Sequence, residues 1–289
     1  MGNIFWITAV AVIAAGIGLL TVGVIDGNRF VVVKEEFELP NIAKECRFVL
    51  ISDLHNKIYG KKNDKLINAI ENINPDFILI AGDLVTSREK EDMTPAIELV
   101  NMLSRNYRIY YGMGNHETKM KSRREDFGDK FDTLKKSIDS PNVTMLENEC
   151  VILPDYNIAL TGLELDLEYF AHFRKKPMAE DYLNTTIGKP RRGRCNILIA
   201  HNPDYFEEYS DWGADLVLSG HVHGGIMRLP VLGGVIAPSY RLFPKYDGGI
   251  FKEKNSTMLL SRGIGSHTIP LRFFNPAELH AVTIKPAET

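Results

Sequence analysis

Five short blocks of the sequence place metal-binding or proton-carrying groups where an apolar run stops. They are Ser52-Asp53-Leu54-His55-Asn56, Gly82-Asp83, Gly114-Asn115-His116-Glu117, His201-Asn202-Pro203 and Gly220-His221-Val222-His223-Gly224. Asp53 and His55 are two residues apart, as are His221 and His223. In extended backbone, residues i and i+2 face the same side, so each pair is expected to aim at one centre. A helical metal site would use i, i+4 spacing instead. Asn115 and His116 are adjacent and diverge in extended backbone, which suggests one for a metal and the other for a substrate. Asp53, His55, Asp83, Asn115, His201, His221 and His223 are seven candidate ligands, too many for one tetrahedral ion. With Asp83 bridging, they divide into two sets of four, which fits two divalent ions about 3.5–4 Å apart. No thiolate is among them, so imidazole, carboxylate and amide donors suit Mn, Fe or Zn, with Mn favoured. The glycines beside these blocks permit sharp turns and close backbone approach. A lone His at a strand end is more often structural, and His172, His267 and His280 are read that way. The joint order of the five blocks is what is specific.

The elements that must position these groups alternate. "CRFVLIS" (46–52), "DFILIAG" (76–82) and "YRIYYGMG" (107–114) are apolar runs of strand length. Between them, "NDKLINAIENIN" (63–74) carries Leu66, Ile67 and Ile70 at helical spacing, with Asn63 as a possible N-cap. "TPAIELVNMLSR" (94–105) reads as a helix with Pro at its first position, and 124–138 as another. This is a βαβαβ pattern of buried strands, hence an α/β protein. Residues 143–164 read as short strands with hairpin-like spacing. "CNILIAH" (195–201), "ADLVLSGH" (214–221), "TMLLSRGIG" (257–265) and "ELHAVTI" (278–284) supply further strands. Two packed sheets with helices outside are expected, and the candidate groups fall where strands end, where open α/β sheets bind ligands.

The 289 residues include 25% charged and 44% hydrophobic side chains, and the net charge is −3. That is a globular composition long enough for a substantial core, and no basic block suggests a nucleic-acid partner. Cys46, Cys150 and Cys195 are odd in number and widely spaced, so buried thiols are expected and not a disulfide framework. "IFWITAVAVIAAGIGLLTVGVI" (4–25) carries no charge and no proline. It is long enough to cross a hydrocarbon core of about 30 Å. A cleaved signal peptide usually has a basic start, which "MGN" lacks. We therefore expect a single-pass membrane anchor over 1–28 and a globular domain over 29–289, with 165–194 an irregular, basic insertion. Arg29 and Lys34 follow the span, which tilts the domain towards the cytoplasmic face.

"SDLH", "AGDLV", "GNHE", "AHNP" and "GHVHGG" resemble the five blocks of the calcineurin-like metallophosphoesterases, over roughly residues 45–285. With the anchor and the ending "SRGIGSHTIPLRFFNPAELHAVTIK", the chain resembles the membrane-anchored YkuE/YaeI-type branch. That branch is similar to UDP-2,3-diacylglucosamine hydrolases. The resemblance implies a four-layer αββα sandwich with a dinuclear site at its rim. It implies Asp53, His55, Asp83 and His223 on one ion, Asp83, Asn115, His201 and His221 on the other, and catalytic His116 facing substrate. Ile226 stands where branch members often carry Gln. "LVTSRE" after Asp83 lacks the Asp and Arg-Gly of the protein Ser/Thr phosphatases, which argues against a phosphoprotein substrate. The expected activity is hydrolysis of a phosphodiester or pyrophosphate bond in a lipid-linked or nucleotide-sugar substrate. The alternative is a phosphodiesterase of soluble nucleotides or headgroups. A non-catalytic metal-binding scaffold is a third reading, against which the intact ligand set argues. The basic aromatic stretch "YFAHFRKKPM" (169–178) and "RRGR" (191–194) could guide a lipid phosphate or form a solvated loop.

Overall fold

Strand-length apolar runs become strands where both of their faces are covered. The computed structural model describes residues 2–171, 175–225, 228–229, 233–235, 244–266 and 271–287. His172, Arg174, Ile226 and His267 lie outside the described residues. The helices are α1 (Gly2–Gly27), α2 (Asp64–Ile73), α3 (Thr94–Leu103), α4 (Asn115–Ser122), α5 (Arg124–Phe127), α6 (Lys130–Ser137), α7 (Tyr182–Ile187) and α8 (Phe206–Trp212). The strands are β1 (Phe30–Leu39), β2 (Cys46–Ile51), β3 (Phe77–Ala81), β4 (Arg108–Gly112), β5 (Val143–Leu146), β6 (Cys150–Leu153), β7 (Ile158–Leu163), β8 (Cys195–Ala200), β9 (Leu216–Ser219), β10 (Arg228–Leu229), β11 (Gly233–Gly234), β12 (Gly249–Glu253), β13 (Ser256–Leu260) and β14 (Ala277–Pro286).

One sheet has the order β1-β14-β2-β3-β4-β5, the other β12-β13-β9-β8-β7-β6, and β10 pairs with β11. In the first, β2 to β5 run parallel and β14 is antiparallel to β2. In the second, β7, β8, β9 and β13 run parallel. The layers follow from where apolar side chains go. Phe48, Leu50, Leu79, Leu160, Ile197 and Leu218 fill the space between the sheets. Val49, Ile51, Ile78 and Ile80 face outward onto α2, α3 and α6 through Leu66, Leu99 and Leu134. Leu198 and Val217 face α8 through Phe206 and Tyr209. The result is the expected α/β/β/α stack.

Several local expectations change. Residues 143–164 form the expected short strands, but only β6 and β7 make a hairpin, in the second sheet, whereas β5 extends the first sheet beside β4. The helix over 124–138 is broken at Gly128, which takes φ +55. Asn63 precedes α2 but its side chain does not cap it; the amide oxygen instead accepts the Tyr59 N–H. β1 was not expected, because Lys34, Glu35, Glu36 and Glu38 interrupt its apolar pattern; it forms an edge strand parallel to β14. The three cysteines are free, with Cys46 and Cys195 buried and Cys150 half-buried. Ile4–Gly27 of α1 has a mean hydropathy of 2.4 and 6% of its apolar window is buried. Its length and composition suit a membrane anchor or a signal sequence.

The sheets approach one another closely at Gly112 of β4. A Cβ there would lie 2.4 Å from Ile199 Cγ2 of β8. Gly112→Val should therefore destabilise the protein by about 1–3 kcal/mol through overpacking, seen as a lower Tm. Ile199→Ala in the same chain should recover part of that loss.

Candidate metal centre

All five chemical blocks emerge at one rim, where β2, β3, β4, β8 and β9 end. Their loops continue the sheet bonding beyond the strands. The Asp53 N–H donates to the Gly82 carbonyl at 3.0 Å, His55 N–H to Asp83 O at 3.1 Å and Gly220 N–H to His201 O at 3.0 Å. The pairs Asp53/His55 and His221/His223 do converge, but not through strand pleating. Asp53 (φ 53), His55 (φ 48), Asp83 (φ 52), His221 (φ 74) and His223 (φ 53) all take the left-handed region. Such a conformation is uncommon for non-glycine residues and marks functional turns. Asn115 and His116 are likewise not extended; they begin α4. The flanking glycines divide their tasks. Gly82 takes φ +82, whereas Gly114 is extended and supplies space, since a Cβ there would lie 2.3 Å from Asp83 Oδ1.

Three groups of ligand atoms each fall within 4.8 Å of one another: Asp53, His55 and His223; His55, Asp83 and His116; Asp83, His201 and His221. His223 Nε2 lies 3.3 Å from Asp53 Oδ1 and 3.1 Å from His55 Nε2. Asp83 Oδ2 lies 3.2 Å from His201 Nε2 and 4.0 Å from His55 Nε2. The other oxygen, Asp83 Oδ1, accepts the His116 N–H at 2.8 Å. His221 Nδ1 stands 2.8 Å from Asn115 Oδ1. Every candidate ligand therefore reaches this rim. His280 does not: it is buried in β14 with Nε2 3.4 Å from Glu278.

The donor set fits divalent ions. His201 donates from Nδ1 to the Ala81 carbonyl at 2.6 Å, which leaves the Nε2 lone pair facing Asp83 and, at 3.7 Å, Asp53. Electron-rich atoms so placed favour a positive charge among them, a proton on Nε2 or a metal ion. Burial works to lower the His201 pKa, but the Asp83 and Asp53 carboxylates push it up to about 10. The same field favours a metal. Burial raises the Asp53 carboxyl to about 6. Burial also works to raise Asp83, yet the His201 and His116 imidazoles hold it well below the usual carboxylate range. The polarising carbonyl behind His201 is the outer-sphere partner that fixes a ligand's tautomer.

Residues 46–225 match the family described as calcineurin-like phosphoesterase. The chain belongs to that family. Its buried Asp and His clusters fit the dinuclear site typical of that family. An uncharacterised metallophosphoesterase of Helicobacter pylori is 29% identical over 253 residues, covering 86% of this chain and 62% of that protein. YkuE of Bacillus subtilis, an uncharacterised metallophosphoesterase, is 26% identical over 83% of this chain and 79% of its own length. The phosphodiesterase YaeI of Escherichia coli is 25% identical over 78% of this chain and 77% of its own. The chain thus spans about three-fifths (62%) of the length of the Helicobacter protein.

Several residues around the site had no signal in spacing. Glu117 is fully buried, and five donors converge on its carboxylate: the N–H groups of Asp83, Leu84, Val85 and Gly114, and the Tyr111 hydroxyl. Burial and the Asp83 charge raise its pKa to about 7, while the donors favour its charged form. Asn275 donates from Nδ2 to the His223 carbonyl at 2.7 Å, and the buried Arg272 lies 3.5 Å from His223 Nδ1. Phe170 sets its ring edge-on to His221, 5.1 Å between centroids. Asn202 pins that segment by donating to the Tyr169 carbonyl at 2.8 Å. Only the Glu of "GNHE" could have been found in advance, as an acid at the third position of a helix.

Among the described residues, the lysines of the first basic stretch pair with carboxylates, whereas its Phe170 reaches His221. Lys175 pairs with Glu208 at 2.7 Å and Lys176 pairs with Glu168. "RRGR" precedes β8, so it sits at the opposite end of that strand from His201, about 20 Å away at 3.3 Å per residue.

Glu117→Gln replaces one of the two acceptor oxygens with an amide nitrogen that cannot accept backbone N–H groups. It should loosen the Asp83 turn and weaken Mn²⁺ affinity by about 10–100-fold, read by titration calorimetry. Tyr111→Phe removes one donor and should cost about 1 kcal/mol in stability with a smaller change in affinity.

Proposed function

We propose that this phosphoesterase is a membrane-held, two-metal phosphodiesterase acting on a lipid-linked or nucleotide-sugar phosphoester. In this reading Asp53, His55, Asp83 and His223 hold one ion, and Asp83, Asn115, His201 and His221 the other. The observation that carries it is the position of Asp83 Oδ2, between His201 Nε2 at 3.2 Å and His55 Nε2 at 4.0 Å. An all-oxygen and imidazole donor set favours Mn, with Fe and Zn as the other candidates. When bound, the ions supply charge for the phosphoryl oxygens and make a nucleophilic water available near neutral pH.

The chain's own groups supply position and hydrogen bonds. Asp53 is oriented by the His221 N–H at 3.0 Å and by the Ser52 hydroxyl. His116 accepts the Ser87 N–H through Nδ1 at 2.8 Å, so its neutral ring carries the proton on Nε2. Burial also lowers its pKa. His116 therefore stabilises the leaving oxygen by donating from Nε2–H, and full protonation through an imidazolium is disfavoured. Phe170, over His221, narrows the second half of the cleft. The apolar α1 supports a membrane-held enzyme, and similarity to the phosphodiesterase YaeI supports diester chemistry.

Two experiments test this. His116→Ala should keep its Mn²⁺ stoichiometry and lose about 10²–10³-fold in kcat, most severely on an alkyl ester with a poor leaving group. Near wild-type turnover of that ester would refute the role of His116. Asp83→Asn should lose metal at both positions. Separately, the full chain with Mn²⁺ should hydrolyse a vesicle-embedded lipid pyrophosphate faster than soluble nucleotides, and the reverse order would favour a soluble substrate.

A further inference from the structure

The apolar helix and the candidate metal centre meet on the same loops. Most of α1 is exposed, but Gly23, Asp26 and Gly27 in its last turn are buried against the domain. The Arg272 N–H donates to the Gly23 carbonyl at 3.1 Å. The Phe273 ring fills the notch that Gly23 leaves, since a Cβ there would lie 2.6 Å from Phe273 Cε1. Just beyond the helix, Asn28 accepts from Lys57 Nζ at 2.8 Å. Lys57 is two residues past His55, and Arg272 reaches the carbonyls of Gly263 and Gly265 beneath Asp53 and His223.

Depth follows from helix geometry. Ile4 to Gly23 is 19 residue steps, about 28 Å at 1.5 Å per residue, against a hydrocarbon core of about 30 Å. Gly23, and with it Phe273, thus falls at the boundary of the bilayer that α1 would cross. Two large apolar side chains next to these contacts stand exposed: Ile58, adjacent to Lys57, at 47% and Phe274, adjacent to Phe273, at 49%. Phe274 is held at φ 55, a left-handed conformation costly for a bulky residue. Its neighbours fix it there, with Asn275 donating to His223 O and Gly225 O. A strained backbone that turns a phenyl ring outward makes sense where the ring has an apolar medium to enter.

We propose that the face carrying Ile58, Phe273 and Phe274 seats on the bilayer crossed by α1. The His55 and His223 side of the cleft then lies at headgroup level, and the phosphoester it takes is the headgroup of a lipid in that membrane. The substrate part of this inference rests on the metallophosphoesterase reading above; the docking part does not.

The test uses the full chain, reconstituted in phosphatidylcholine–phosphatidylglycerol vesicles. An environment-sensitive fluorophore is attached at Ile58→Cys, at Phe274→Cys or at Asn255→Cys, each in a Cys150→Ser background. Asn255 is exposed in the turn between β12 and β13, at the opposite rim from the site. Headgroup-attached nitroxide lipids should quench the probes at 58 and 274 strongly and the probe at 255 weakly. Equal quenching at all three, or a mature chain from which α1 has been removed, overturns the proposal. If the Phe274 variant does not fold, position 58 decides alone. In a second arm, Ile58→Glu should slow hydrolysis of a vesicle-embedded phosphodiester at least about tenfold, equivalent to roughly 1.4 kcal/mol, and leave hydrolysis of soluble bis(p-nitrophenyl) phosphate unchanged. Equal loss on both substrates counts against the lipid source. If the wild-type chain hydrolyses neither substrate with Mn²⁺, the catalytic reading fails, while the quenching pattern still judges the docking.

Discussion

Two buried carboxylates of like charge, Asp53 and Asp83, are the constraint around which this protein is built. They are 0% and 2% exposed, and each lies within 4.0 Å of His55 and His201 nitrogens. An uncompensated buried anion is too costly to keep. Compensation comes in layers: backbone N–H groups of His221 and His116, the Ser52 hydroxyl, the ring of imidazoles, and the field that favours divalent ions. These groups come from strand ends of both sheets, so neither sheet could build the centre alone. The junction of the sheets is where the charge can be both hidden and answered.

The same constraint explains where the backbone is irregular. Five of the residues that converge on the centre sit at positive φ, a cost of order 1 kcal/mol or more at each. Regular strands supply the rigid base for it. β2, β3, β8 and β9 are buried on both faces, and their loops exchange backbone hydrogen bonds across the rim. Glu117 extends this support by taking four backbone N–H groups from the turns after β3 and β4. The strain is local, and the packing that offsets it is distributed through the space between the sheets.

The flanks of the centre come from outside the central layers. Phe170 comes from the segment after β7 and stands over His221. Arg272 and Asn275 come from the segment before β14 and support His223 from the other side. That second segment also receives the end of α1 through Gly23. The cleft is therefore flanked on one side by an aromatic wall and on the other by the chain's most apolar helix.

Much of this was legible in the sequence, for a physical reason. Strands covered on both faces must be apolar throughout, so the runs ending at residues 52, 82, 201 and 220 disclosed the sheet ends. Metal chemistry needs Asp, His and Asn, so the seven candidate ligands could be read directly from those ends, and their number pointed to two ions. How they converge could not be read. The spacing of Asp53 and His55 suggested strand pleating, whereas left-handed turns bring them together, because the strand stops at Ile51. Nor did spacing disclose that β5 and β6, four residues apart, belong to different sheets. Glu117, Arg272, Asn275 and Phe170 carry no pattern of their own, because their roles exist only through contacts with distant residues. The sequence by itself determined which groups gather at the candidate metal centre and which runs are buried. The tertiary structure alone decided how they face one another, since the bond from His221 to Asp53 spans 168 residues and only the closing of two sheets brings its ends together.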